Sequence, residues 1–224
     1  KESVATEFKI GSLSGPSSLG LLELMGEDVK IGDSTDLKLT VAGAPDEITA
    51  KLLSGELDAA CVPINLAPVL YNKSEGKFVI TSVVSEGMLY LVQKGEDIKS
   101  VADLKGKTIY SAGQGATPEY VLSYVLEKSG LTVGEDVTVV YLNEHSEVAA
   151  KLLAEGGIAL LPEPFVTTVQ AKSKDVSVAL DMNEIWNTVA PESKLMMTAF
   201  IVNKEYAEKN KSVVNSFLDM YKDS

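Results

Sequence analysis

DEITAKLLSGELDAACVPINLAPVL, residues 46–70, decides the fold, because the chain writes it twice. The second version, SEVAAKLLAEGGIALLPEPFVTTV, occupies residues 146–169. Glu47 to Leu53 lies one hundred positions before Glu147 to Leu153, and five of the seven residues are identical. After a gap of one residue, Ala60-Cys61-Val62-Pro63 meets Ala159-Leu160-Leu161-Pro162. Each copy reads as a helix, a turn, a short apolar strand and a loop opening a further helix. A long-period repeat of this kind sets the architecture before any local detail does.

The offset extends outward. Gly15 meets Gly115, Ser17 meets Thr117, Leu22 meets Leu122 and Leu39 meets Val139. Working back from residue 46, strands are expected over residues 8–13 and 37–41. A helix is expected over 19–25, capped by Ser17 or Ser18, and Asp46 is the expected N-cap of the repeated helix. Strand 57–62 and a helix from 63 to 71 complete a βαβαβ unit, which implies a mostly parallel sheet. The second unit repeats the plan: strand 107–111, helix 119–128 with Thr117 as N-cap and Pro118 at its first position, and strand 137–142. The repeated helix, strand 158–161, a helix from 165 and strand 176–180 follow. Trp186 falls in a stretch read as irregular, 183–190. Residues 196–204 echo residues 88–94, both apolar and both ending in an amide and a lysine. The fold expected is α/β, two βαβ-type lobes joined by a two-stranded hinge. Lobe one takes residues 1–89 and 199–224, and lobe two takes 90–198.

Composition narrows the function. The chain has 224 residues, 45% of them hydrophobic, enough for one or two domains with real cores. Its net charge is −12, which argues against nucleic acid as a partner. All 20 basic residues are lysine, so a bidentate arginine clamp on a carboxylate or sulfonate is excluded. One Cys and one His exclude an internal disulfide and a zinc site of the ordinary Cys/His kind. No apolar run approaches the ~20 residues of a membrane span. No cofactor and no metal are expected.

In open α/β sheets ligands sit beyond the carboxyl ends of the strands. That rule selects residues 14–18, 43–45 and 63–65 in the first half, and 113–117, 143–146 and 162–165 in the second. The candidate ligand contacts are therefore Ser14, Gly15, Pro16, Ser17, Ser18 and Asn65, then Gln114, Gly115, Ala116, Thr117, His145, Glu163 and Phe165, with Glu86 beside the expected hinge. Phe165, Tyr90 and Trp186 are the rings available for stacking. Glu86 or Glu163 can accept from an amine or a ring N–H. Each has a structural alternative: Gly15 and Gly115 as turn formers, Asn65 as a helix cap, Glu163 as a solvated charge, Phe165 as core. Cys61 with His145 has the composition of a nucleophile and its base, but Ala59-Ala60-Cys61-Val62 reads as a buried apolar strand. No catalytic residue is assigned.

The segments SGPSSLGLLELM, GELDAACVPINLAPVLYNK, VADLKGKTIYSAGQGATPEYVL and EHSEVAAKLLAEGGIALLPEPFVTTV resemble the type II periplasmic-binding-protein fold. The nearest group is that of ABC-importer substrate-binding proteins of the nitrate/sulfonate/taurine and thiamine-precursor type. The turn at residues 103–107 and the Pro-Glu-Pro at 162–164 are its most specific parts. The resemblance implies two lobes that close on a small-molecule solute, polar or heterocyclic or anionic, and deliver it to ABC permease subunits in the membrane. It implies a monomer outside the cytoplasmic membrane or in the periplasm, lipid-anchored in its precursor. Ligand contacts carried over by position are residues 14–18, Asn65, 114–117 and 163–165. The family usually continues with further C-terminal helices, so lobe one is expected to be incomplete. Absent arginine argues against an amino-acid ligand. An enzyme on the same fold, of the futalosine-pathway menaquinone type, is the alternative, and a sensor domain fused to a signalling protein is a third possibility.

Overall fold

The structure is a computed structural model, and it describes residues 6–13, 16–26, 28–32 and 34–223. Ser14 and Gly15, both candidate contacts, lie outside the described residues. The chain divides into two compact units, Lys1–Ser85 with Met197–Ser224, and Glu86–Met196.

The first unit opens with β1 (Glu7–Leu13) and a 3₁₀ helix, Pro16–Leu24. Then come β2 (Lys30–Ile31), β3 (Thr35–Ala42), α1 (Pro45–Leu53), β4 (Ala59–Pro63), α2 (Leu66–Lys73) and β5 (Phe78–Glu86). The second unit holds β6 (Leu89–Lys94), a short 3₁₀ turn Val101–Leu104, β7 (Thr108–Ala112), α3 (Thr117–Lys128) and β8 (Thr138–Leu142). It continues through α4 (His145–Glu155), β9 (Gly157–Pro162), α5 (Phe165–Lys172), β10 (Val176–Asp181) and α6 (Met182–Val189). β11 (Met196–Asn203), α7 (Lys204–Lys209) and α8 (Lys211–Asp223) return to the first unit.

The first sheet has the order β2-β3-β1-β4-β11-β5 and the second β10-β6-β9-β7-β8. Read from the other edge, the second becomes β8-β7-β9-β6-β10, the same plan as β3-β1-β4-β11-β5. In each, three consecutive strands are parallel: β1 to β3 and β4, β7 to β8 and β9. The fourth is antiparallel and is β11 in the first sheet and β6 in the second. The parallel core matches expectation, and the antiparallel strands make each sheet mixed. Pro63 pairs with Thr198 and Pro162 with Leu89. The structural counterpart of Leu89 is therefore Thr198, one residue out of step with the lysine-to-lysine echo in the sequence.

The central strands β4 and β11 of the first sheet are buried on both faces, which explains why they read as near-continuous apolar runs. Phe8, Ile10, Ala59, Cys61, Phe200 and Val202 enter one core with Phe217 of α8. Their alternates Leu13, Ala60, Val62, Ala199 and Ile201 enter another with Ile48 and Leu52 of α1 and Leu70 of α2. Strand side chains alternate with a period of two, so one strand serves both layers. In the second unit Val148, Ala149 and Leu152 of α4 pack on Ala159 and Leu161.

Several local expectations are corrected. The expected α-helix at 19–25 is the 3₁₀ helix Pro16–Leu24, with Ser17 and Ser18 buried inside it instead of capping it. The phenol of Tyr221 lies on Gly20, where any added Cβ would meet it at 2.4 Å. Asp46 does not cap α1: Pro45 takes the first turn, so Ala44 occupies the N-cap position and Asp46 contributes its charge to the helix N-terminus. Ala116, not Thr117, stands at the N-cap of α3, and Pro118 is its second residue. The helix expected from residue 63 begins at Leu66. Trp186 lies in α6, because the Asp181 carboxylate accepts from the backbone of Asn183 and Glu184 and starts a helix there.

Candidate functional site

The chain ends of β1, β3 and β4 set the loops of the first unit. Pro16 opens the 3₁₀ helix, and Ser17 and Ser18 are buried, at 5% and 8% exposure. Asn65 is half-buried at the N-cap position of α2, and its side chain does not cap that helix. Ser12, at the end of β1, is buried and its hydroxyl donates to the carbonyl of Leu13.

In the second unit, Ser111 repeats this bond to Ala112 at the end of β7. The loop beyond runs through Gly113 and Gly115, both left-handed at φ 77 and 75, a conformation open to glycine at little cost. Gln114 and Gly115 are exposed, Ala116 is half-buried and Thr117 is buried. The N–H of Gly115 donates to the carboxylate of Glu119, one turn into α3. The next loop repeats the device: Asn143 N–H donates to Glu147 Oε2 at 3.1 Å. In the third, Glu163 Oε2 accepts from the backbone N–H of Thr167 at 3.1 Å and from its hydroxyl at 2.9 Å. All three loops follow parallel neighbours in one sheet. Adjacent strands are about 4.8 Å apart, so the three lie along an edge about 10 Å wide.

His145 and Phe165 open α4 and α5, and their ring centroids are 5.6 Å apart. Burial pushes the imidazole down to about 4, so it is neutral at pH 7. His145 Nδ1 is buried and has no hydrogen-bond partner among the described residues. Tyr90 lies nearby, its phenol raised first by burial and then by Asp181 and Glu163. Glu86 is exposed and pairs with Lys194 at 3.1 Å. Trp186, a candidate stacking ring, packs on Tyr124 at 5.0 Å and donates through its indole to Ser193, so it ties α6 to α3.

Cys61 is fully buried and its thiol is pushed up to about 12, chiefly by desolvation. That is the opposite of an activated nucleophile. Among the described residues no group of three or more His, Cys, Asp or Glu side chains is placed to hold a metal ion, and no helix is long and apolar enough to cross a membrane.

The strand-end rule expected His145, Glu163, Phe165 and Gly115 in loops beyond neighbouring strands, and the structure places them there along one sheet edge. Sequence reasoning missed Glu119, Glu147 and Lys194. A carboxylate four residues after a loop N–H is the readable signal for the first two. The Lys194 pairing spans 108 residues and has no local signal.

Residues 20–216 match the family model described as ABC transporter, phosphonate, periplasmic substrate-binding protein. No curated protein matches the chain in sequence. Among solved structures, an ABC transporter protein from Parabacteroides distasonis is 26% identical with a TM-score of 0.78, over 96% of this chain and 72% of that one. The periplasmic aliphatic sulphonate binding protein SsuA of Escherichia coli is 18% identical with a TM-score of 0.73, over 99% of this chain and 72% of that one. The periplasmic nitrate-binding protein NrtA of Synechocystis PCC 6803 is 14% identical with a TM-score of 0.68, over 98% of this chain and 61% of that one. The last two likenesses carry the fold alone, the type II periplasmic-binding fold.

Proposed function

The chain belongs to the family of phosphonate-type periplasmic substrate-binding proteins of ABC transporters, and from that premise we propose that it captures a small solute by closing its two units on it and hands it to a membrane permease. The family places it outside the cytoplasm. The observation that carries the reading is the match over residues 20–216 of a family defined by solute capture. The paired loop sets at the strand ends supply the contacts. Ser17, Ser18 and Asn65 serve from the first unit, and Gln114 to Thr117, His145, Glu163 and Phe165 from the second, with Glu86 at their margin.

Family and neighbours are substrate-binding proteins, and neither supports turnover of a bound compound. The buried thiol of Cys61 supports the same reading. A thermal-shift screen over phosphonates, sulfonates, nitrate and nitrogen heterocycles tests it. A true ligand at one hundred times its Kd adds about 2.7 kcal/mol. For a chain of this size that is a rise of several degrees. A melting temperature indifferent to every compound would sink the proposal.

A further inference from the structure

The second unit carries information about ligand charge. Helix starts bind oxyanions when their N–H groups are free and the dipole is uncompensated. Here each of three consecutive helix starts on one sheet edge has a carboxylate of the chain itself beside it. Glu119 takes Gly115 N–H, Glu147 takes Asn143 N–H, and Glu163 takes Thr167 N–H. Only Thr167 N–H among these donors belongs to the first turn of its helix, and it is taken; at all three starts an incoming oxyanion would face a carboxylate that already offsets the helix dipole. The chain has no arginine to offset them, and no lysine lies in residues 113–117, 143–146 or 162–165. Lys194 already faces Glu86.

The same edge is furnished for a different ligand. His145 and Phe165 present two adjacent rings, and the imidazole contributes no positive charge at neutral pH. One buried imidazole nitrogen lacks a partner among the described residues, and an unmade bond at a buried polar atom is unfavourable until something fills it.

Resting on the solute-binding reading above, we infer that the ligand is an uncharged or cationic compound with a flat face and hydrogen-bond donors, and that free oxyanions are rejected. The flat face lies on His145 and Phe165, and the donors meet the carboxylate edge at Glu163.

Calorimetry and thermal shift on the intact chain test this with two arms. One holds inorganic phosphate, methylphosphonate, methanesulfonate and nitrate. The other holds amino- and amide-substituted nitrogen heterocycles, together with benzamidine, benzamide and benzoate, which share a ring and differ in head-group charge. The donor compounds are expected to bind at least about tenfold tighter than their anionic analogues, a difference of about 1.4 kcal/mol. An oxyanion binding as tightly as any donor compound overturns the inference and leaves solute binding standing. Silence in both arms removes solute binding, and the inference with it. Glu163→Gln, which keeps an acceptor for Thr167, separates charge from structure. It should weaken the donor compounds and strengthen the anions. Parallel loss in both arms would mean that Glu163 only holds its helix, and would overturn its assigned role.

Discussion

The two units share a strand plan and differ at the strand ends. The buried positions of the repeated helix correspond one to one: Ile48, Thr49 and Leu52 against Val148, Ala149 and Leu152. α2 and α5 have the same length and bury Ala67 and Leu70 against Val166 and Val169. Lys51 pairs with Glu56 and Lys151 with Glu155, each at 2.8 Å. Beyond the strands the correspondence breaks. Leu19 stands where the second unit has Glu119, Pro45 where it has His145, Ile64 where it has Glu163, and Leu66 where it has Phe165. Packing against a shared sheet plan constrains the first group. Nothing in the sheet constrains the second, so polar and aromatic chemistry collects in one unit.

A second contrast concerns the helix after the first strand. In the second unit it is the regular α3, with Tyr120 exposed. In the first it is a 3₁₀ helix with Gly20 at the equivalent position, covered by Tyr221 of α8. The C-terminal helix belongs to one unit only, and a side chain at residue 20 would force the ring of Tyr221 to move.

The comparison can be broken most forcefully in the core. Leu52→Ala and Leu152→Ala should each cost about 2–5 kcal/mol, as large cavities do. Urea titration followed by hydrogen exchange in each unit should show the two losses to be of similar size. A loss confined to one of the pair would end the equivalence.

The next effect belongs to the second unit alone, because Pro45 has no titratable counterpart to His145. The folded imidazole, near 4, releases a proton that the unfolded one holds up to its ordinary value of about 6.5. Stability is therefore complete above about pH 6.5 and falls as pH drops toward 4, by at most about 3 kcal/mol. In His145→Phe the part of the slope between about pH 5 and 6.5, above the carboxylate range, should be reduced, as read from urea midpoints. An unchanged slope would place the titration elsewhere.

Smaller effects sharpen the loops. Glu147→Ala leaves the exposed Asn143 N–H without its acceptor and should cost about 0.5–1.5 kcal/mol, the net range for one hydrogen bond. Its melting temperature against wild type measures this. Lys194→Ala breaks an exposed pair with Glu86 and should change stability by less than about 1 kcal/mol, in a salt-dependent way. A larger loss would show that the pair does more than meet on the surface.

The repeat was legible because burial repeats: Ala, Lys and Leu recur in the same helical frame wherever the same sheet must be covered. Helix starts were less legible. Asp46 and Thr117 are good caps by type, but Pro45 occupies the first turn of α1 and moves the cap two residues earlier, to Ala44. At α3 the cap is Ala116, one residue before Thr117, which becomes the first helical residue. Trp186 was misplaced because the helix around it depends on a cap at Asp181 that follows a strand without a break. The strand-end rule selected His145, Glu163 and Phe165, and the structure sets all three just beyond β8 and β9. Which donors their neighbours had already taken depended on rotamers.

By itself the sequence determined two copies of one α/β plan, an acidic chain with no arginine, and the loops where a ligand would be met. These follow from residue type and spacing, which act locally. Only the tertiary structure decided that β11 and β6 are antiparallel to β4 and β9, that Tyr221 covers Gly20, and that a carboxylate lies beside each of three helix starts. Each of these depends on where a strand or side chain ends in space, and the energy of pairing rewards the nearest partner regardless of its distance along the chain.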